Sequence, residues 1–487
     1  MSRINTNVSS LIAQRNLASS NAALETSLER LSTGLKINRG ADDPAGLIVS
    51  ERLRSDIAGV GQAVDNIERA SNVIATSEAA LQEINTLLIE MQSLIVEAAN
   101  TGAFSKEEIE ANQLQIDSAI DSITRIANTT SFAGLKTLNG SLDYLTTGVT
   151  TSQIDDLQLY GVNFGTATSK AVEVEVLNSA ERATLTISAT NATGSGLLSS
   201  VTFELQGPTG VESFQFVSGT ATDSIRDAIN AVKDATGVSA TLVNTSAIVL
   251  NSTGFGSEAF VAVRQLNSDS QSFNTVDAPD GTTINRDTGE DVLALVNGSL
   301  ALGDGLDLSL RSTVLNLEMS LTSGAAQNLD TYSFSITGGG ANFQVGPEVN
   351  TQQQVGFGIQ SVAATNLGNT IVGFLSDVRS GGDAALTKGN NPSSQARSAA
   401  QILDASIDEI TTLRGRLGAF ERNTLQTTLR SSQVALENLT ASESQIRDTD
   451  FAQETAALTR AQILQQAGTQ TLSIANSTAQ SVLSLLG

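Results

Sequence analysis

Apolar residues recur every seven positions at both ends of this chain of 487 residues. In the C-terminal stretch Ala461, Gly468, Ala475 and Val482 fall seven apart. Leu458, Leu472, Ala479 and Leu486 form a second series, with Gln465 in its gap. The two series draw one apolar seam along a helix. Near the N-terminus Leu24, Leu28, Leu31 and Leu35 are spaced four, three and four, and Leu17 lies seven before Leu24. Two heptad-patterned helices at opposite ends of one chain can pair antiparallel. The plainer alternative is two amphipathic core helices of one globular domain.

Missing charge sets the C-terminal helix apart. No ionisable side chain follows Arg460, and the faces off the seam carry Gln, Ser, Thr and Asn. A solvated helix normally shows Lys and Glu there. A membrane span needs about 20 predominantly apolar residues, and this tail is too polar for that. The pattern fits a helix enclosed on most sides by protein, either copies of the chain or a partner.

Between the ends lie longer helices. Gly40 breaks the first pattern, Asp43 is placed to cap the next helix and Pro44 suits its first position. Leu53, Val60, Ile67, Ile74, Leu81, Leu88 and Ile95 are then each seven apart. Ile57 and Val64, then Ile84 and Met91, supply companion positions, with a slip of one residue where Ser71 and Glu78 sit. A helix from about 45 to 100 is on the order of 80 Å long. Asn100 and Gly102 end it, and Ser105 with Glu108 form a capping box for a helix reaching about Asn128. FAGLKTL and SLDYL flank Asn139-Gly140, which predicts a hairpin there.

From about 165 to 325 the period changes to two. Val172, Val174 and Val176 alternate with polar residues, as do Leu185 and Ile187, then Val201, Phe203 and Leu205. One helix interrupts, with Asp223 as cap and Gly237 as terminator. This is one strand-rich inserted domain or two small ones, whose two connections enter and leave side by side. Helical texture returns at about 356 and strengthens after Pro392, where Leu403, Ile410 and Leu417 are seven apart. RDTD, residues 447–450, precedes the uncharged tail. The predicted fold is mainly α, with N- and C-terminal helices paired in coiled-coil-like packing and a strand-rich α+β insertion. The predicted division is 1–42 with 453–487 as end helices, 43–165 with 328–452 as a helical rod bearing a hairpin, and 166–327 as insertion.

Composition restricts the chemistry. Hydrophobic residues at 40% exclude wholesale disorder, while 4% aromatics and no Trp leave the cores to small and aliphatic side chains. With no Cys and no His there is no disulfide, no Cys nucleophile, no Ser-His-Asp triad, no zinc site of the usual ligands and no HExxH motif. Asp304 and Asp307 in LGDGLDLSL read as a solvated turn before they read as a calcium site. GGGANFQVG, residues 338–346, lacks the GK[ST] of a phosphate loop. No catalytic residue, metal or cofactor is predicted. A net charge of -24 argues against nucleic acid and anionic membranes as partners. The start lacks the basic and apolar regions of a secretory signal, which leaves export by a dedicated machine open.

Two segments resemble a known family. SLERLSTGLKINRGADDPAGLIVSERLRS, residues 27–55, is similar to the N-terminal signature of bacterial flagellins. SESQIRDTDFAQETAALTRAQILQQAGTQTLSIANSTAQSVLSLL, residues 442–486, is similar to their C-terminal signature. The stretch from Phe214 to Asn244 resembles the short repeat of flagellins and hook-associated proteins, and that repeat is expected near 171–266. Gly487 departs from the basic or amide residue that ends many relatives.

The resemblance implies a subunit of the flagellar filament, secreted through a type III export apparatus with a chaperone on its C-terminal end. Its expected partners are itself, the filament cap and hook-associated proteins. A hook-filament junction protein of the same family is the alternative. The end helices would form the filament core through Leu24, Leu28, Leu31, Leu35, Leu458, Leu472, Ala475, Ala479, Val482 and Leu486. The rod segment 87–97 is similar to the patch that an innate immune flagellin receptor reads. Recognised relatives carry Arg, Glu and Leu where this chain has Glu90, Ser93 and Leu94. That implies weak recognition.

Overall fold

The computed structural model describes residues 7–484 except 166, 189–196, 198, 245–246, 268–273, 278–282, 313 and 389–391; the side chains of 244, 274, 277 and 479–484 are also left aside. Compactness groups the chain into two units. One comprises 1–70, 344–353 and 422–487, the other 71–343 and 354–421.

Four long helices contribute to the first unit. They are α1 (Val8–Thr33), the start of α2 (Pro44–Ala99), and the last two helices of the chain, Gln426–Arg447 and Phe451–Ser484. Each end has a local cause. Asn7 caps α1 by accepting from the Ser10 amide at 3.0 Å, and Gly34 closes it with a left-handed φ of 75°. The Asp43 carboxylate accepts from Gly46 N at 2.9 Å at the start of α2. Gln426–Arg447 has no buried residue, and its Leu429, Leu436, Leu439 and Ile446 are half-buried.

The predicted slip in the seam of α2 does not occur. Val60, Ile67, Ile74, Leu81, Leu88 and Ile95 are buried and Leu53 is half-buried. The companion series is Ala63, Ala70, Ser77, Ile84, Met91 and Ala98, all buried and all seven apart. Ile57 and Val64, chosen for size, stand one position off the seam and are half-buried. Small side chains occupy four of these buried positions, so hydrophobic size alone does not mark the series.

In the second unit the remainder of α2 is joined by α3 (Lys106–Thr129), which opens on the Ser105/Glu108 capping box. The helix Pro392–Phe420 buries Leu403, Ile410 and Leu417. Gln113 of α3 is buried with its amide matched, donating to Val378 O at 2.9 Å and accepting from Leu386 N at 2.8 Å.

The hairpin is closed elsewhere than at Asn139-Gly140. Strands Ser131–Phe132 and Leu135–Lys136 pair around Ala133-Gly134, with φ of 49° and 87°. Positive φ at both central residues is the geometry of a type I′ turn, and Ala133 adopts it despite its Cβ. After Gly140 the chain pairs non-locally: Leu142 bridges Ile359, and Tyr144–Thr147 joins a larger sheet.

That sheet has eight antiparallel strands. Their order is Tyr144–Thr147, Thr331–Gly339, Lys170–Asn178, Leu293–Val296, Ser299–Asp304, Asp307–Arg311, Leu315–Leu321 and Ile154–Val162. It therefore extends past both 166 and 327. Its core includes Val172, Val174, Val176, Leu317 and Phe334. A second core belongs to two four-stranded sheets and the helix Thr222–Ala231, centred on Leu185, Phe203, Ile229 and Val261. The chain enters and leaves this part at one antiparallel bridge. There Glu181 N donates to Glu290 O at 2.9 Å and Glu290 N to Glu181 O at 3.1 Å.

Two smaller expectations are corrected. Ala221, not Asp223, is the N-cap of Thr222–Ala231; Asp223 lies in the first turn and pairs with Arg226 at 3.0 Å. Residues 356–388 are not helical beyond the 3-10 turn Leu375–Val378. Gly368 and Gly373, with φ of 107° and 106°, lie in a small hairpin, where they pair with Phe374 and Asn369, and no α-helix adopts that backbone.

Candidate self-assembly surface

The two ends of the chain are joined before their helices meet. Leu35 and Asp448 form an antiparallel bridge, Lys36 N donates to Arg447 O at 2.7 Å, and Thr449 N donates to Gly34 O at 2.9 Å. Asp450 then caps the last helix, accepting from Ala452 N and Gln453 N at 2.9 and 3.1 Å. The chain thus reverses beside its own first helix, and α1 runs antiparallel to Phe451–Ser484. Arg30 faces Glu454 at 3.7 Å near the junction. Further along, Ser10 Oγ donates to Asn476 Oδ1 at 2.8 Å and Asn7 Nδ2 donates to Ala475 O at 2.9 Å.

Small side chains set the spacing of the pair. Ser10, Ala13 and Ser27 are the buried residues of α1, and Ala461 is buried opposite. At Gly468 a Cβ would stand 3.3 Å from Leu17 Cδ1 and 3.8 Å from Leu17 Cα. A Cβ there would crowd only the end of the Leu17 side chain, its Cα lying at ordinary contact distance.

This pairing accounts for the seam. Leu458, Gln465, Gly468, Leu472 and Ala475 are half-buried, as are Leu17, Leu24, Leu31 and Leu35; Leu28 is exposed. The side chains of Ala479 and Val482, and all of Leu486, lie outside the described residues.

A second apolar set remains on the other faces. Val8, Leu11 and Ile12 of α1, and Phe451, Ile463, Leu464 and Ile474 of its partner, are each about half exposed or more; Ile463 reaches 61%. These residues lie off the heptads, so the periodicity passed over them. The signal that could have found them is an apolar side chain outside the seam on a helix without charge. A contiguous exposed apolar surface marks an interaction site. Among the described residues no group of three or more acidic, His or Cys side chains is arranged to hold a metal, and no helix is long and apolar enough to cross a membrane.

Sequence comparison bears on both ends. Residues 4–143 match the model for the bacterial flagellin N-terminal helical region, and 400–486 match that for the C-terminal helical region. Flagellin B of Vibrio cholerae serotype O1 is 31% identical over 485 residues, covering 99% of both chains. The chain belongs to the bacterial flagellin family. The flagellin of Salmonella rubislaw is 29% identical over 512 residues, again with 99% of each chain covered. Residues 202–254 match the flagellin hook IN motif, within the stretch predicted to hold such a repeat. Among solved structures, hook-associated protein 3 from Legionella pneumophila aligns with 81% of this chain and 98% of its own at 13% identity, with a TM-score of 0.32. For a flagellin, Glu90 and Ser93 are exposed on α2 and Leu94 is half-buried.

Proposed function

We infer that this protein is the repeating structural subunit of a bacterial flagellar filament, with the paired end helices as the element that drives polymerisation. One observation carries the reading. A helix pair formed from the two chain ends leaves Leu11, Ile12, Ile463, Leu464 and Ile474 open on helices that carry little charge, and after Arg460 none. Copies of the same pair supply a surface of matching chemistry. Enclosure on all sides explains why the tail has Gln, Ser and Thr where a solvated helix has Lys and Glu, because an unpaired buried charge costs several kcal/mol.

The finer parts of the proposal follow from family membership. The half-buried seam residues Leu24, Leu31, Leu35, Leu458, Leu472 and Ala475 hold the pair together, while the exposed set meets neighbours. Residues 1–42 with 453–487 form the core, 43–165 with 328–452 the surrounding tube, and 166–327 projects outward, with the eight-stranded sheet shared between tube and projection. The subunit is secreted through a type III apparatus with a chaperone on its C-terminal end, and assembles under the filament cap beyond the hook-associated proteins. No catalytic role and no cofactor are proposed.

The hook-filament junction reading shares the end helices but requires a short ring. Full-length similarity to flagellins favours the long polymer. Seeding purified protein with filament fragments separates the two under the electron microscope. Long tubes are expected; failure to elongate contradicts the proposal.

A further inference from the structure

In the second unit a cavity of about 280 Å³ lies where the helix Pro392–Phe420, the strand Ile154–Val162, the segment at Asp143 and the hairpin Gly368–Phe374 meet. Asp143, Asp155, Asp156 and Glu409 line it, and no Lys or Arg does. Two carboxylates elsewhere in the unit are held in the charged form by several donors. Asp117 accepts from Ser380 N and Oγ and from Gln113, and Asp291 from Ser257 N and Oγ and from Gly305 N; both titrate below the ordinary range despite some burial. The cavity offers less. Asp143 accepts from Tyr144 N at 2.7 Å, Asp155 from Thr370 Oγ1 at 2.9 Å and Asp156 from Gln158 Nε2 at 3.1 Å. Glu409 accepts from Gly368 N at 3.2 Å, a bond that opposes its rise but is outweighed by burial.

Among the described residues, three carboxyls are displaced upward: Asp143, Asp156 and Glu409. All three line this one cavity. Burial is the main cause in each. Glu409 moves from 4.5 to about 7, with the charge of Asp156 adding to the effect of burial. Asp156 is an exposed residue whose carboxyl is raised by the protein packed around it; Asp307 and Asp155 press on it electrostatically, while Gln158 donates to it at 3.1 Å and opposes the rise.

We propose that this carboxyl cavity is an acid-stabilised latch, in which a proton on Glu409 holds the helix Pro392–Phe420 against the hairpin and the sheet. Losing that proton sets adjacent carboxylates against one another in a space with no cation, and the junction loosens. The groups that face the latch are all acidic. The strand Ile154–Val162 contributes Asp155 and Asp156, the segment before Tyr144 contributes Asp143, and the strand Asp307–Arg311 contributes Asp307. The turn Leu375–Val378 carries Asp377, whose carboxylate is taken up by Phe374 N at 2.9 Å. The hairpin has no titratable side chain. Arg416, two turns along the helix, is paired with Glu318 at 2.6 Å and packs over the Tyr160 ring.

The direction of the pH effect follows from linkage. The folded value of Glu409 stands above its unfolded value, so proton uptake favours the fold. This contribution is complete below about pH 4.5 and is lost as the pH rises through about 7. The latch therefore responds within the range that a bacterium's surroundings span.

The test is thermal unfolding of the full-length monomer from pH 5 to 8.5, with amide exchange at Gly368 as the local readout, on the natural chain and Glu409→Gln. Gln is the neutral isostere and keeps an oxygen for Gly368 N. The natural chain should lose several degrees of Tm across the range. Its Gly368 amide should open more than intrinsic exchange explains. Glu409→Gln should be flat and should exceed the natural chain at pH 8.5. Parallel curves overturn the latch. A Glu409→Gln chain that fails to fold also overturns it, because the neutral form is the one the latch requires. Asp156→Asn should move the midpoint of the natural transition to lower pH, and an unmoved midpoint speaks against coupling within the cavity.

Discussion

Asn7 donates its side-chain amide to the backbone carbonyl of Ala475, a contact of 2.9 Å between residues 468 positions apart. The donor also caps α1, since its Oδ1 receives the Ser10 amide. One side chain near the start thus both begins the first helix and fixes the last one beside it. The contacts that join the two helices lie within one chain, and this bears on each prediction about their surface.

Gly468 should tolerate Ala and reject Leu. A Cβ meets the mobile end of Leu17 at 3.3 Å, so Gly468→Ala needs only a small shift and gains helix propensity of up to about 1 kcal/mol. A leucine drives the helices apart, with an expected cost of about 1–3 kcal/mol. Helical content of the monomer against temperature checks both.

Ala475→Asp should block assembly more than it disturbs the monomer. Ala475 is half-buried in the lone chain, where a carboxylate still reaches water. Enclosure by neighbours removes that water, and an unpaired charge then costs several kcal/mol per subunit. The critical concentration for seeded growth should rise at least a hundredfold, and normal growth would show that the position stays solvated in the polymer.

The part between Glu181 and Glu290 should be removable at the bridge that joins them. Replacing 182–289 by a short Gly/Ser turn joins the chain where Glu181 and Glu290 already pair and leaves the eight-stranded sheet whole. That chain is expected to polymerise. Excising 166–327 instead removes five of the eight strands, Lys170–Asn178 and the four from Leu293 to Leu321, and strands the other three. Circular dichroism and seeded growth on the two deletions should separate them.

The exposed patch on α2 offers a test against the innate flagellin receptor. The resemblance to recognised flagellins implies that Glu90 places an anion where Arg is expected and that Ser93 lacks an expected anion. Sign reversal of one central charge adds repulsion and desolvation. The natural monomer should signal weakly in a receptor reporter assay, and Glu90→Arg/Ser93→Glu should raise the response. Strong signalling by the natural monomer contradicts the proposal.

Much of the helical frame could be read from residue spacing. Seven-residue spacing located the seam of α2, and Ser105 with Glu108 announced the start of α3. What spacing could not supply was the identity of small partners and distant neighbours. Ala63, Ala70 and Ser77 are as buried as the leucines beside them, but nothing in their size marks them. The strand Ile154–Val162 carries Asp155-Asp156 side by side, which hides its alternation, and its partner Leu315–Leu321 lies far along the chain. The turn at Ala133-Gly134 was passed over because Ala rarely takes positive φ. At the assembly surface the periodic residues revealed how the chain pairs with itself. The exposed apolar side chains Leu11, Ile12, Ile463, Leu464 and Ile474 lie off those heptads, so the seven-residue spacing does not mark them.

The most direct measurement is an electron cryomicroscopy reconstruction of filaments grown from this chain, with side chains resolved in the core. The account predicts that Leu11, Ile12, Ile463, Leu464 and Ile474 are covered by neighbouring subunits, with the Asn7–Ala475 contact retained inside each copy. Filaments in which those side chains face a water-filled channel or bulk solvent, or whose subunits join only through other parts of the chain, would contradict it.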